Sequence, residues 1–128
     1  MKTAQHVYFD VADGEHFRWQ TQSGWFAKTE RDLLARARVP TEGRVIEIGC
    51  GEGGNLFHLG ARRGWVGVDF SQPKLCHALG ALKDVGFARS DAASLPFSSN
   101  TFNSILIRDL LHHVPDRLAT LSEAVRVL

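Results

Sequence analysis

The run Val45-Ile46-Glu47-Ile48-Gly49-Cys50-Gly51-Glu52-Gly53-Gly54 constrains the fold more than any other part of the chain. Its first residues are a short, mostly β-branched stretch, which reads as a buried strand. Four glycines in the next six residues mark a turn. Glycine there permits positive φ and lets a ligand approach the backbone closely. Beyond the turn, Asn55 to Arg63 reads as a helix with Leu56, Leu59 and Gly60 on one face. Arg62 and Arg63 suit the negative end of its dipole, and Gly64 is expected to end it. Strand, glycine turn and helix make one βα unit.

The rest of the chain repeats that unit. Gly24 to Arg38 reads as a helix, with Trp25, Phe26, Leu33, Leu34 and Ala37 at helical spacing and Pro40 as its stop. Trp65 to Val68 is a second strand, ending at Asp69. A helix opens at Pro73 and runs to about Leu82. Gly86 to Arg89 is a third, weaker strand, and Asp91 to Ser99 is a loop. Phe102 to Arg108 is a fourth strand, with Ser104-Ile105-Leu106-Ile107 its buried part. A last helix starts at Asp116 and repeats Leu118, Leu121, Val125 and Leu128 helically. Residues 1–20 are polar with scattered aromatics and receive no element. The expected organisation is a single domain over 1–128, with an N-terminal segment (1–23) and a core (24–128).

Alternating strands and helices imply the α/β class, a parallel sheet flanked by helices with right-handed crossovers. Ligands of such sheets bind at the carboxyl ends of the strands. The unusual polar residues fall there: Glu47 through Gly54, Asp69, Asp91, Arg108 and Asp109.

The length of 128 residues suits one core. A formal net charge of +1 gives no electrostatic argument for nucleic acid or a membrane surface. Cys50 and Cys76 form neither a disulfide framework nor a metal spacing. His6, His16, His58 and His77 show no ligand spacing, so no metal is expected. The N-terminus lacks the apolar run of a signal peptide, and no stretch approaches a membrane span. A reducing, cytoplasmic setting is the expectation.

Spacing alone leaves the cofactor open. Gly49-x-Gly51-x-x-Gly54 fits the dinucleotide fingerprint, and Asp69 stands where that fingerprint wants its ribose-binding acid. Charge separates the candidates. Glu47 and Glu52 flank the turn where a dinucleotide would place its pyrophosphate. Unit charges ~4 Å apart interact by about 4 kcal/mol at an effective dielectric near 20. An acidic turn therefore opposes a pyrophosphate and favours a cationic ligand such as S-adenosylmethionine. The structural alternative is a plain glycine turn with solvated glutamates. Asp69 and Asp91 likewise have an alternative role as caps of the turns or helices that follow them.

Four segments resemble the motifs of the class I S-adenosylmethionine-dependent methyltransferases, in the order that family has them. They are Val45 to Gly53, Val66-Gly67-Val68-Asp69-Phe70-Ser71, Ser90 to Phe97, and Phe102 to Val114. The similarity runs from about Trp25 to Leu128. It is strongest to the subgroup that holds ubiquinone and menaquinone C-methyltransferases and many small-molecule methyltransferases. The resemblance implies a Rossmann-like sheet, here partial, with about four strands in the order 3-2-1-4. It implies S-adenosylmethionine as cofactor, S-adenosylhomocysteine as product and a small-molecule methyl acceptor. By the resemblance, Glu47 faces the methionine amino group beside the backbone of Gly49, Cys50 and Gly51. Asp69 binds both ribose hydroxyls, Phe70 stacks on adenine, Asp91 meets the adenine amino group beside Ala92, and Arg108 borders the methionine moiety.

The chain also departs from that pattern. Family members have seven strands and typically continue past Leu128, so a fragment or a naturally short form is expected. The fourth strand would then offer an open edge, and self-association as a homodimer through that edge or the last helix is expected. Methyl transfer is mostly positioning, and needs a base only where the nucleophile must lose a proton. His112, His113 and Asp109 follow the fourth strand and are candidates for that role. Each has a structural alternative as a loop residue. Trp19, Trp25 and Phe26 are either part of a lid over the cofactor or packed on the sheet. Two competing functions remain: a catalytically incomplete cofactor-binding or interaction module, and an NAD-binding enzyme.

Overall fold

The computed structural model describes residues 13–128. His6 and the first half of the N-terminal segment lie outside the described residues. The elements in chain order are α1 (Glu15–Gln22), α2 (Gly24–Ala37), β1 (Val45–Ile48), α3 (Gly54–His58) and β2 (Val66–Asp69), then α4 (Gln72–Ala81), β3 (Gly86–Arg89), β4 (Ser104–Ile107) and α5 (Arg117–Val127). The four strands form one parallel sheet in the order β3-β2-β1-β4.

β1 is central, and all four of its residues are buried. Glu47 stands opposite Gly67 on β2 and Leu106 on β4. Strand side chains alternate between faces, so β1 serves two cores. Ile46 and Ile48 join Val68, Leu95, Phe102, Ala124 and Val127 on the α5 side. Val45 points the other way, to Leu56, Trp65, Leu75 and Val85 beneath α3 and α4. Burying each large aliphatic side chain stabilises the fold by about 1.5–3 kcal/mol. The same alternation puts Glu47 on the face of Val45, so a carboxyl group is buried under α3.

The structure corrects two of the expected boundaries and adds an element. α3 ends at His58, well short of Arg63. Gly60, at φ 68°, turns left-handed. Its N–H donates to the Phe57 carbonyl at 3.1 Å, and the Ala61 N–H donates to the Leu56 carbonyl at 2.9 Å. That pair of bonds is a Schellman cap, so Gly60 rather than Gly64 stops the helix. β4 keeps only its apolar centre, because Phe102 and Asn103 lead into it through bonds to the Val127 and Arg44 carbonyls. α1 arises in the stretch to which the sequence assigned nothing. Its N-cap is Gly14, and Asp13 Oδ1 supplies one local cap by accepting the Glu15 N–H at 2.9 Å. Glu52 supplies another from 35 positions away, accepting the Phe17 N–H at 2.9 Å.

Candidate cofactor site

The glycine turn is pinned to the end of β2. The Gly49 and Cys50 N–H groups both donate to the Val68 carbonyl, at 2.7 and 3.0 Å. The Gly51 N–H donates to Asp69 Oδ2 at 2.8 Å, and the Ser71 N–H donates to Asp69 Oδ1 at 2.9 Å. Each oxygen keeps a further acceptor site, since an ionised carboxylate has about four. Gly49 has φ 81°, and a Cβ there would stand 2.9 Å from Leu110 Cδ1. Gly51 has φ 54°, yet a Cβ there would meet nothing within 4 Å. The turn therefore needs glycine at Gly49 for packing, while Gly51 borders open space.

Behind the turn, four side chains from distant parts of the chain form one polar chain. The Asn55 amide donates from Nδ2 to Glu47 Oε1 at 2.7 Å. Asn55 Oδ1 accepts from Arg108 Nη1 at 2.9 Å. Arg108 also grips Glu30 of α2 with both terminal nitrogens, Nη2 to Oε1 at 2.6 Å and Nη1 to Oε2. Glu30 and Glu47 are both buried. The Arg108 hydrogen bonds hold the Glu30 carboxyl below the usual range. Glu47 goes the other way: burial pushes it up to about 8, against the opposing pull of Asn55 and Arg108. Its second oxygen, Oε2, is buried without a hydrogen-bond partner among the described residues. A buried polar atom left unpaired costs about 1–3 kcal/mol, so it marks a place where a donor belongs.

A cavity of about 390 Å³ opens beside the turn, between the ends of β1, β2 and β3 and the loop after β4. That volume lies within the range of small-molecule sites. Of the residues expected to hold a cofactor, Gly49, Asp69, Phe70, Asp91 and Ala92 line it. Glu47, Cys50, Gly51 and Arg108 stand outside its lining, next to it in chain or space. The Asp91 carboxyl accepts the Ala93 N–H through Oδ1 at 2.8 Å, which forms the loop's turn. Phe70 is largely exposed, with the Arg89 guanidinium 5.4 Å from its ring centre. Cys50 is buried among apolar side chains, and burial raises its thiol well above the ordinary value. Its contribution at the turn is its backbone.

The three catalytic candidates separate. His113 lines the cavity. Burial, His112 and Lys74 lower its pKa, so it is neutral at pH 7. His112 is exposed, its ring 3.9 Å from that of His113 centre to centre. Asp109 is exposed and left-handed at φ 52°, with its carboxylate 3.8 Å from Arg108 Nε. Neither it nor His112 lines the cavity. Trp19, Trp25 and Phe26 do not pack on the sheet. Trp19 stacks on Phe26 at 4.3 Å, and Trp25 meets Phe26 edge-on, all at the α1–α2 junction. Among the described residues, no three His, Cys, Asp or Glu side chains gather as metal ligands.

Sequence reasoning missed Asn55 and Glu30. Asn55 carried a signal, because the first turn of α3 sits directly over the end of β1. Glu30 carried none, lying 78 positions from Arg108. Glu52, the second acid of the turn, points away from it to α1. The electrostatic case for a cationic ligand therefore falls to Glu47.

The family described as "Methyltransferase domain" matches residues 46–128. The chain belongs to that family. Among its curated relatives is the phthiotriol/phenolphthiotriol dimycocerosates methyltransferase of Mycobacterium tuberculosis, 34% identical over 90 residues, or 66% of this chain and 33% of the relative. The demethylmenaquinone methyltransferase of a Roseiflexus species is 35% identical over 111 residues, covering 80% of this chain and 44% of the relative. A solved S-adenosylmethionine-dependent methyltransferase from Thermotoga maritima superposes with a TM-score of 0.77 at 27% identity, over 97% of this chain and 56% of that one. By sequence and fold the chain falls within the class I S-adenosylmethionine-dependent methyltransferase family. It spans between a third and just over half of the length of these relatives. The residues present fit the family's cofactor: an orphaned carboxyl oxygen for an ammonium, a carboxylate at the end of β2 for a diol, and an open cradle at Gly51.

Proposed function

We propose that this methyltransferase-family chain forms one S-adenosylmethionine-binding domain that serves methyl transfer to a small-molecule acceptor, leaving S-adenosylhomocysteine. The observation that carries the reading is Glu47 Oε2, a buried acceptor with no donor, beside a glycine turn open at Gly51. When bound, S-adenosylmethionine supplies an electrophilic methyl group on a sulfonium. Glu47 receives the cofactor's ammonium, and the Gly49–Gly51 backbone lies along its methionine half. Asp69 takes the ribose hydroxyls on the acceptor sites its backbone bonds leave over. Phe70 stacks on the adenine, while Asp91 and the Ala92 backbone meet its edge. Arg108 acts from behind, through Asn55. Its place at the end of β4 otherwise follows the family expectation.

His113 is the residue best placed to take a proton from an acceptor hydroxyl. It lines the cavity, and its lowered pKa leaves the imidazole neutral at pH 7. Where the acceptor attacks without losing a proton, His113 only shapes the pocket. No described helix is long and apolar enough to cross a membrane. The two free cysteines fit the cytoplasmic setting proposed for it. A second copy of the chain is proposed as its partner, through the outer edge of β4 or the exposed face of α5.

Calorimetric titration with S-adenosylmethionine, S-adenosylhomocysteine and NAD tests the cofactor reading. The first two bind, NAD does not, and Asp69→Ala weakens binding by about tenfold or more, the factor for one lost charge-assisted contact. NAD binding, or a folded chain that binds none of the three, overturns it.

A further inference from the structure

We propose that Glu30 is a specificity-determining positioning residue: it holds Arg108 away from Glu47, so that one Glu47 oxygen stays available to the ammonium of an amino-acid-bearing ligand. The inference rests on the cofactor reading above and adds a residue from α2, outside every motif of the sequence.

Among the described residues, Arg108 is the cation that acts on Glu47 electrostatically, and Asp69 is the other charged group that does so. A buried carboxyl beside a guanidinium would ordinarily pair with it directly. Here it does not. The Arg108 fork closes on Glu30, Nη2 to Oε1 at 2.6 Å and Nη1 to Oε2. Its third nitrogen, Nε, lies 3.8 Å from the exposed Asp109 carboxylate. A planar guanidinium matched to a carboxylate in this two-point fashion is held in orientation as well as in place. What remains of its donor capacity toward the site goes to Asn55 Oδ1 at 2.9 Å.

Asn55 then works as a spacer between the guanidinium and the Glu47 carboxyl group. Its amide cannot be reversed, because a guanidinium only donates and the Asn55 atom facing it must accept. The NH2 group is thereby turned to Glu47, where it binds Oε1 at 2.7 Å and leaves Oε2 unpartnered. Glu30 itself is supported by Gln20 Nε2 at 3.5 Å, and His58 faces it electrostatically. Without the Glu30 charge, Arg108 would be a half-buried cation beside an acid with a vacant oxygen. Direct pairing with Glu47 is the arrangement that satisfies both. That pairing would remove the acceptor a ligand ammonium needs, and would set a like charge beside it.

The consequence is selective by ligand. S-adenosylhomocysteine carries the amino-acid ammonium. 5′-Methylthioadenosine has the same adenosine and a sulfur but lacks the amino-acid half. Both are titrated into wild type, Glu30→Gln, and Glu30→Gln/Arg108→Met, with thermal melts to confirm folding. Glu30→Gln weakens S-adenosylhomocysteine by about tenfold or more and leaves 5′-methylthioadenosine within about twofold. The double variant removes the misplaced cation along with its cause, and recovers most of the S-adenosylhomocysteine affinity. Parallel loss of both ligands in Glu30→Gln, or no recovery in the double variant, overturns the proposal and leaves the cofactor reading standing. Wild type that binds neither ligand overturns both.

Discussion

Burial under α3 decides which protonation state Glu47 holds before any ligand arrives. Its pKa rises from an ordinary 4.5 to about 8, with desolvation the largest cause. The unfolded chain gives up this proton near the ordinary value, whereas the folded chain keeps it to about 8. Across that window the unfolded state binds fewer protons, so stability falls as pH rises, and levels off only above the folded pKa. Thermal melts of the ligand-free protein should therefore fall progressively from about pH 5 to about pH 8. Glu47→Gln, which cannot ionise, should remove that part of the slope. An ammonium entering the site reverses the balance and draws the carboxyl into its charged form. Calorimetry near neutral pH, in buffers of different ionisation enthalpy, should show about one proton released per S-adenosylhomocysteine bound by wild type and none by Glu47→Gln. The glycines of the turn differ in the same residue-by-residue way. Gly51→Ala places a methyl group in open space at φ 54°, so it carries only a dihedral penalty of about 1–2 kcal/mol. Gly49→Ala adds to that penalty a 2.9 Å collision with Leu110. Denaturant melts should show Gly49→Ala as the more destabilised of the two. The methyl at Gly51 should instead appear as lost S-adenosylhomocysteine affinity in a chain that still folds.

At the scale of elements, the loop after β3 closes its first turn with its own Ser90 and Asp91 bonds, and the last helix holds the rest. Glu123 of α5 accepts the Leu95 N–H at 2.7 Å. Arg126 clasps Glu123 and donates to the Phe97 and Leu95 carbonyls at 2.8 and 3.2 Å. The Arg126 and Leu95 bonds hold the Glu123 carboxyl down to about 2. An acid with a depressed folded pKa contributes stability above its unfolded value and loses it as pH falls toward 2, so this clasp opens only in strong acid. Arg126→Met should free the loop at neutral pH. With the charge-assisted clasp gone, exchange of the Leu95 amide should quicken by about tenfold or more. The melt should move less, since the loop's apolar residues remain on the α5-side core. Such long-range clasps explain what the sequence could and could not tell. β1, β2 and β4 were legible as short apolar runs at turn boundaries, and the sheet order followed from the family resemblance. The ends of β1 and β2 were legible as a site because strand topology alone brings Glu47 and Asp69 together. Helix ends were less so: Gly60 and Gly64 are both left-handed, and only the bonds to Leu56 and Phe57 select the first. α1 has a weak pattern and takes part of its cap from Glu52. Neither that bond nor Glu30 with Arg108 is local, and no periodicity encodes a pair so far apart in sequence.

The whole molecule presents its least finished surface on the side of β4 and α5. β4 pairs with β1 alone among the described residues, so the polar backbone groups along its other edge have no strand partner. α5 buries Thr120, Ala124 and Val127 but leaves Leu118, Leu121, Val125 and Leu128 exposed by 75%, 42%, 72% and 52%. Their spacing of three, four and three places them on one face of the helix. Scattered exposed leucines are normal, whereas a continuous stripe marks a contact surface. A two-fold axis beside β4 would pair that strand antiparallel with its copy, which closes both edges by the same contact. Packing α5 stripes against each other is the second geometry a two-fold axis allows. Each has a distinct signature. Light scattering over a range of concentrations should show wild type moving from monomer to dimer mass. Leu118→Glu/Val125→Glu alters only exposed positions, so the monomer keeps its core and its melt. If the helix stripe is the seam, that variant stays monomeric at every concentration. If the β4 edge is the seam, the variant still dimerises, and protection of the β4 amides from hydrogen exchange rises with protein concentration. A wild-type chain that remains a clean monomer at high concentration rules out both geometries.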